Sequence, residues 1–262
     1  MQKTNVGNIR LVALVDNIQP YPFSSVYPGQ ADAAPYRQHL DDQDRVPLNF
    51  GCFLAVDGGV TLLVDTGWGP EFNGRLLDEL REAGVEPRAI THVLFTHLHG
   101  EHTGWNIDRA TGKPTFENAE YLVPAADWKH YSERENAASF TRDVVPLEAT
   151  GRMRLVDGEL NISPALTAIP TPGHTPGHTS VAVISGGEAG FILGDVVISP
   201  IDTTEPSLKN SFDWDSGIAE TTRLATLDRL VASNALVGAS HLPAPGLGRF
   251  VAVEGKRYWR AL

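Results

Sequence analysis

The feature that most constrains this chain is a run of histidines directly behind an apolar stretch. Residues 97–102 read His-Leu-His-Gly-Glu-His and follow the largely apolar residues 89–95, which predict a strand. His97 and His99 are two residues apart, so in extended backbone they point to the same side. Gly100 permits a sharp turn, after which Glu101 and His102 can return toward the same point from the start of a helix. Because crowded imidazoles repel one another when protonated, the run predicts a shared metal ion.

Three more potential ligands follow strand-like segments further along the chain. A loop rich in proline and glycine, residues 171–178, presents His174 after a strand that ends at Ile169. Asp195 follows the apolar residues 191–193, and His241 follows a short strand over 235–237. Since a sheet fold can gather strand ends at one rim, we expect these side chains to meet the histidine run around one or two cations.

Composition narrows the class of protein. The chain of 262 residues carries 21 Lys and Arg against 32 Asp and Glu, and its formal net charge of −11 disfavours nucleic acid as a partner. No apolar run reaches the ~20 residues of a membrane span, and the N-terminus lacks the pattern of a secretory signal. The single Cys52 excludes an internal disulfide and a thiolate-rich zinc cluster. We therefore expect a cytoplasmic enzyme that does not contact a membrane.

Strand-like and helical patterns alternate along the whole chain, and no linker divides it. Residues 51–64 read as a hairpin around Gly58-Gly59, and helical patterns cover 72–83, 125–139 and 218–232. We expect a layered α/β fold with two sheets covered by helices, in a single domain over residues 1–262.

These features, taken in order, resemble a known family. The order is Asp65 in Leu-Val-Asp-Thr-Gly, then His97-x-His99-x-Glu101-His102, then His174, Asp195 and His241. This arrangement resembles the metallo-β-lactamase-fold hydrolase superfamily, and it extends over most of the chain. The resemblance implies an αββα sandwich of two similar halves, with a dinuclear metal site at one edge.

The resemblance also implies a role for each residue. By it, Asp195 bridges two metal ions, the first held by His97, His99 and His174 and the second by Glu101, His102 and His241. Glu101 and Asp195 are thereby the candidate catalytic carboxylates, and Asp65 orients the histidine loop through hydrogen bonds. Zinc is the expected metal, while imidazole and carboxylate ligands leave manganese, iron and cobalt open.

Glu101 departs from the family pattern, which has Asp at this position. Its extra methylene adds about 1.5 Å of reach, whereas zinc–carboxylate distances tolerate only ~0.2 Å. Glu101 must therefore bend back, ligate differently, or leave the second site weak. Our hypothesis is that Glu101 binds the second metal ion less rigidly than Asp does.

The implied function is hydrolysis of small molecules. Two cations about 3.5–4 Å apart lower the pKa of a bridging water and produce a hydroxide that opens lactones, carboxylic esters or phosphotriesters. Phe212-Asp213-x-Asp215, Thr222-Arg223 and residues 241–248 resemble the subgroup with methyl parathion hydrolase, lactonases and arylesterases. β-Lactamase or thioesterase activity on the same scaffold is the first alternative. An alternative of another class is a non-catalytic metal-binding protein with an impaired second site.

The substrate pocket is the least constrained part of the site. Trp68 and Trp105 either wall an apolar pocket or pack in the core. Ile198 stands where the family's N-acyl-homoserine lactonases commonly carry a tyrosine, and Phe212 and Trp214 lie where a loop could cover the site.

One more histidine lies close to the predicted ligands. His178 is a candidate for orienting His174 or the substrate from behind the ligands. The expected partner is a small-molecule substrate, and the sequence leaves the oligomeric state, a homodimer included, open.

Overall fold

The structure is a computed structural model that describes residues 1–262. Its strands form two seven-stranded sheets. In the first sheet, neighbouring strands are also consecutive in the sequence: β1 (Gln2–Val6), β2 (Ile9–Pro22), β3 (Arg45–Asp57), β4 (Val60–Val64), β5 (His92–Leu94), β6 (Glu120–Pro124) and β7 (Met153–Val156). β1 to β4 pair antiparallel, whereas β4 to β7 pair parallel.

The second sheet comes entirely from the second half of the chain. Its strands, again adjacent in sequence order, are β8 (Leu160–Asn161), β9 (Leu166–Pro170), β10 (Thr179–Ser185), β11 (Glu188–Ile192), β12 (Leu236–Gly238), β13 (Leu247–Val253) and β14 (Lys256–Ala261). Only β11 and β12 pair in parallel, because the 18-residue helix of this half lies in the connection between them.

Helices occupy the connections and the outer faces of both sheets. They are α1 (Phe23–Val26), α2 (Leu76–Ala83), α3 (Gly100–Thr103), α4 (Ala125–Ser132), α5 (Ala138–Asp143), α6 (Val145–Glu148), α7 (Pro200–Thr204) and α8 (Ser216–Ser233). Short 3₁₀ helices cover Ala34–His39, Pro70–Phe72 and Pro87–Ala89. No helix is both long and apolar enough to cross a membrane.

The alternation of side chains along the strands explains the layers. In β2, Leu11 and Ala13 belong to a core cluster that both sheets share, whereas Val12 and Leu14 belong to the cluster beneath α2. Both faces of this strand are therefore buried, which accounts for its continuous apolar run. On the other sheet, Leu227 of α8 packs in a third cluster on the outer face. The order helix–sheet–sheet–helix confirms the expected αββα sandwich.

Two expected helices differ from those observed. The helix expected over 72–83 begins only at Leu76, because Asn73 is left-handed and Gly74 lies so close to Asp16 that a Cβ there would clash. The helix expected over 125–139 is split into α4 and α5, since the polar residues 133–136 offer no apolar face to bury. Cys52 lies in the core, as expected for a small apolar residue.

Candidate metal centre

Every predicted ligand follows the end of a strand, and these ends meet. Asp65 directly follows β4, and the histidine run follows β5; His174, Asp195 and His241 follow β9, β11 and β12. The structure gathers the seven candidate ligand side chains into two groups, in each of which the ligand atoms lie within 4.8 Å of one another. We call His97, His99 and His174 the first group, and Glu101, His102, Asp195 and His241 the second group.

The first group has the spacing of a metal site. His99 Nδ1 lies 2.9 Å from His97 Nε2 and 3.1 Å from His174 Nε2. Two nitrogens that are each 2.0–2.1 Å from a tetrahedral zinc ion lie about 3.3 Å apart. Three ring nitrogens that converge at nearly this spacing fit one divalent cation.

The second group contains buried atoms that lack partners. Asp195 Oδ2 lies 2.9 Å from His241 Nε2 and 3.3 Å from His174 Nε2, so this carboxylate contacts both groups. Its Oδ1 and His102 Nε2 are buried without a hydrogen-bond partner. Because buried polar atoms are normally satisfied, these two atoms fit a site that a cation completes. Glu101 Oε1 lies 3.9 Å from His99 Nδ1, so its carboxylate reaches the edge of the first group as well.

The charges of His97, His99 and Asp195 suit metal binding. Burial, reinforced by the neighbouring imidazoles, holds the pKa of His97 well below its usual range and lowers the pKa of His99 to about 4, so both rings are neutral and can offer lone pairs. Burial opposes ionisation of Asp195, but the surrounding histidines outweigh it and hold its pKa well below the ordinary value. Neutral imidazole and ionised carboxylate are the forms that bind divalent metals. In the second group, burial acts to lower the pKa of His102 and His241, but the charge of Asp195 outweighs it and raises both pKa values, so a cation bound there would displace protons from these rings.

Hydrogen bonds behind the ligands turn their rings inward. Asp65 accepts from Thr96 N–H (2.7 Å), from the Thr96 hydroxyl (2.8 Å) and from His102 Nδ1 (2.8 Å). The Thr96 oxygen in turn accepts from His97 Nδ1, and the carbonyl of Asn49 accepts from His241 Nδ1. Nδ1 is thus engaged in each of these rings, which leaves Nε2 free to face the centre. These contacts fit the orienting role expected of Asp65.

His178 holds Asp195, whereas the sequence suggested His174 or the substrate as its target. The backbone N–H of Asp195 donates to His178 Nε2 over 2.9 Å, while His178 Nδ1 faces Thr171. Burial, followed by the charge of His174, lowers the pKa of His178 to about 3, so the ring stays a neutral acceptor. A Cβ on Gly194 would lie 2.6 Å from His178 Nε2, so only glycine allows this approach.

Asp213 and Arg223 form a buried support for His174. Asp213 Oδ1 accepts from His174 Nδ1 over 3.2 Å, and Asp213 Oδ2 accepts from the Arg223 guanidinium over 3.0 Å. Arg223 is 1% exposed and also donates to the carbonyls of Val196 and Pro206. Neither residue has a predicted role from the sequence, although both lie in segments that resemble the lactonase subgroup.

Asp127 connects the two histidine loops. It lies at the start of α4, where its carboxylate accepts from the backbone of Leu98, the hydroxyl of Thr175 and the backbone of Gly177. Leu98 belongs to the histidine run, and the other two belong to the loop of His174. One buried carboxylate therefore fixes the two loops relative to each other, and no local sequence signal marked it.

An apolar cavity of about 160 Å³ opens over the second group. Its apolar lining comes from Tyr21, Leu48, Phe50, Trp68, Ile198 and Phe212, and its polar lining comes from Glu101, His174, Asp195 and His241. The cavity therefore contains three of the expected pocket residues, Trp68, Ile198 and Phe212. Tyr21 was not predicted from the sequence, and it reaches the cavity because β2 and β3 extend beyond the rest of the sheet.

The other two expected pocket residues lie elsewhere. Trp105 is absent from the lining of this cavity, and its indole N–H donates to Asp16 over 2.8 Å. Asp16 also accepts from the backbone of Trp68, so this carboxylate holds the Trp68 turn in place. Trp214 lines a separate cavity that adjoins the first at His174.

Comparison with known proteins agrees with this geometry. Residues 52–241 match the model of the metallo-beta-lactamase superfamily. Among relatives, an N-acyl homoserine lactonase of a Bacillus species is 25% identical over 55% of this chain and 62% of its own length. The Metallo-beta-lactamase domain-containing protein 1 of Xenopus laevis is 33% identical over 57% of this chain and 52% of its own. The aligned region thus spans less than two thirds of either relative.

Two solved structures share the fold over nearly all of their length. AidC, a dizinc quorum-quenching lactonase in complex with a product, has a TM-score of 0.88 at 24% identity and covers 100% of this chain and 97% of its own. The hydrolase AbOPH has the same TM-score and identity, and the alignment covers 99% of this chain and 96% of AbOPH. The residues matched by the family model include every predicted ligand. The match also agrees with the αββα sandwich and with the position of the histidines at the ends of its strands. This chain belongs to the metallo-beta-lactamase superfamily.

Proposed function

We propose that this protein is a metal-dependent hydrolase that opens lactones, carboxylic esters or phosphotriesters of small molecules. One observation carries the proposal: two groups of inward-facing ligand atoms lie at the floor of an apolar cavity. The similarity to N-acyl homoserine lactonases supports lactones within this class. The core cluster shared by the two sheets supports a single domain over residues 1–262.

The predicted ligands would hold two divalent ions. His97, His99 and His174 would hold one divalent ion, Glu101, His102 and His241 the other, and Asp195 would lie between them. When bound, such ions, zinc first among the candidates, supply Lewis acidity and lower the pKa of water toward neutrality. Asp65, His178 and Asp213 keep the ligands oriented, and Trp68 and Phe50 exclude water from the apolar side of the substrate.

The cavity limits what the substrate can be. A volume of about 160 Å³ with a mostly apolar lining suits a short acyl or aryl group beside the ester carbon. With a carboxylic ester, water adds to the carbonyl carbon, the bond from this carbon to the ester oxygen breaks, and the alcohol and the carboxylate leave with release of one proton. With a lactone the same bond breaks, and the hydroxyl and the carboxylate stay on one product. Burial, followed by the charge of Glu101, raises the pKa of Tyr21 above its ordinary value, so its phenol stays protonated at neutral pH.

Metal reconstitution tests the proposal. The protein is stripped with a chelator, reloaded with zinc, manganese or cobalt, and assayed on dihydrocoumarin, an aryl acetate, a phosphotriester, a thioester and a β-lactam. We expect lactone or ester turnover in proportion to metal content. Turnover of the β-lactam or the thioester alone would favour those activities. Metal binding without turnover of any substrate would favour a non-catalytic role.

A further inference from the structure

A second cavity adjoins the apolar one at His174. Its volume is about 210 Å³, and it shares His174 and Phe212 with the first cavity. His99 also lines it, so two members of the first group form part of its wall. The proposed reaction centre thus opens into two compartments, and a substrate held at the centre can extend into both.

The two compartments differ in chemistry. Six of the ten residues around the first cavity are hydrophobic, against three of ten around the second. The second cavity is bordered by His130, Tyr131, Arg134, Thr175 and Trp214. Burial, followed by the charge of Arg134, lowers the pKa of His130, so that ring is neutral at pH 7 and Arg134 is the cation of the lining.

The charge of Arg134 is available to a ligand. Its guanidinium lies 5.5 Å from the centre of the Tyr131 ring, the side chain is exposed, and it makes no ion pair or hydrogen bond with another residue. The carboxylate of Asp213, which also borders the cavity, is already engaged by His174 and Arg223. Glu133 adjoins Arg134 in the sequence but does not line the cavity. Stacking on an aromatic ring restrains a guanidinium while its N–H groups stay free for a carboxylate.

The distance from Arg134 to the centre suits a small molecule. The centre of the Tyr131 ring lies 6.2 Å from that of His99, and Arg134 lies 5.5 Å beyond Tyr131. The guanidinium carbon is therefore at most about 12 Å from the His99 ring. A single aromatic ring with a substituent opposite the scissile oxygen covers much of this span. Trp214, which is 49% exposed, and His130 lie 6.4 Å apart and border the path.

We propose that the second cavity receives the leaving-group half of the substrate and that Arg134 binds an anionic group, a carboxylate or a phosphate, on that half. The inference rests on the proposed hydrolase function and narrows its substrates to esters or lactones with an apolar acyl side and an anionic leaving side. Arg134 is in this view a specificity-determining residue, and it takes no part in bond breaking.

A matched pair of substrates tests this inference. The zinc-loaded protein is assayed on 4-butyryloxybenzoate and on its methyl ester, which share the acyl group and differ in the charge of the leaving side. We expect Arg134→Gln to lower kcat/KM for the anionic ester about 10-fold relative to the neutral one, as loss of a charge-assisted contact predicts. Arg134→Lys should retain part of the preference, and 0.5 M salt should weaken it in the unmodified protein.

Arg229→Gln is the control. Arg229 is also exposed and also lies 5.5 Å from the centre of an aromatic ring, that of Phe191, but it borders neither cavity. This variant should leave the substrate ratio unchanged. The inference would be overturned if Arg134→Gln did not alter the ratio of kcat/KM for the anionic ester to kcat/KM for the neutral ester. It would also be overturned if Arg229→Gln altered this ratio equally.

Binding measurements separate this inference from the proposed function. Calorimetry with 4-hydroxybenzoate and its methyl ester measures anion binding without turnover. If the protein hydrolyses neither ester, the proposed function fails for this class, and the calorimetry alone decides the anion site. Tighter binding of 4-hydroxybenzoate that Arg134→Gln removes would support the site. Equal affinity of the unmodified protein for 4-hydroxybenzoate and its methyl ester would contradict the site. Equal affinity of the unmodified protein and of Arg134→Gln for 4-hydroxybenzoate would contradict it as well.

Discussion

The two ligand groups of the centre differ in how firmly their members are held. In the first group, His97 and His174 both use Nδ1 for a hydrogen bond to the surrounding protein, and three imidazoles converge. In the second group, His102 and His241 likewise use Nδ1, toward Asp65 and the carbonyl of Asn49, and the backbone N–H of Asp195 donates to His178. Each group has one member without such support: the His99 ring lies within hydrogen-bond distance only of the other two imidazoles and is 27% exposed, and the Glu101 carboxylate receives no hydrogen bond from another side chain and is 22% exposed. The two differ in stiffness, because His99 has two rotatable side-chain bonds and Glu101 has three.

This difference indicates that the two sites depend on different parts of the molecule. Affinity at the first group depends on three imidazole rings, of which His97 and His174 are held by buried hydrogen bonds. Affinity at the second group depends also on a carboxylate with three rotatable bonds, whose side chain must be ordered by the ion itself. We therefore expect the second ion to bind more weakly than the first. The following changes test that ranking, in order of decreasing effect.

Asp195→Asn should weaken metal binding at both groups, because Asp195 Oδ2 contacts both. We expect metal content to fall at both sites and activity to fall by more than the ~10–100-fold typical for loss of a contact behind a ligand. Elemental analysis after dialysis, together with the steady-state rate, measures this. Retention of two ions per chain would contradict a shared role for Asp195.

His174→Ala should affect the first group selectively. The first group then keeps two of its three imidazoles, and we expect the tighter ion and the activity to be lost together. Titration with zinc against a fluorescent chelator resolves the two affinities. Full activity in this variant would remove His174 from the centre.

Asp213→Asn should weaken the first site without removing a ligand. Loss of the negative charge behind His174 makes its ring less basic and leaves Arg223 without its charged partner, so we expect about 10-fold weaker binding of the first ion. Asp215→Asn is the matched control, because Asp215 caps α8 and asparagine caps a helix almost equally well. Equal zinc affinities in the two variants would assign Asp213 to folding alone.

Glu101→Asp should raise the affinity of the second site for its ion or leave it unchanged, since the shorter side chain loses less conformational entropy when it binds the ion. Glu101→Gln, which removes the charge, should release the second ion while the first remains. Zinc titration of the three proteins gives the ranking directly. A second ion held equally by the glutamine variant would show that Glu101 is not a ligand.

The sequence predicted much of the centre because its ligands carry a local signal. A histidine run after an apolar strand, a rigid His174 loop and an Asp behind an apolar strand all indicate where strands end, and the structure brings these side chains together. Their roles as ligands stay a prediction until metal binding is measured. The αββα layering was also predictable, but it came from the family resemblance and not from periodicity.

The supporting residues could not be predicted because their partners are distant in sequence. Asp16 accepts from an indole 89 positions away, and Asp127 accepts from a glycine 50 positions away. Trp105 illustrates the same limit: its position three residues after His102 left a pocket wall and core packing equally open, and the structure packs it against the core with its indole N–H bound to Asp16. Such pairs depend on how the layers pack, and a single sequence carries no record of that packing.

The strand ends that surround the centre come from both halves of the chain. His97 and His99 follow a strand of one sheet, and His174 follows a strand of the other; the second group is divided in the same way. An ion in either group would therefore cross-link the two sheets at the edge where their strands end. Mechanical separation of the halves should accordingly require more force in the zinc-loaded protein than after chelation.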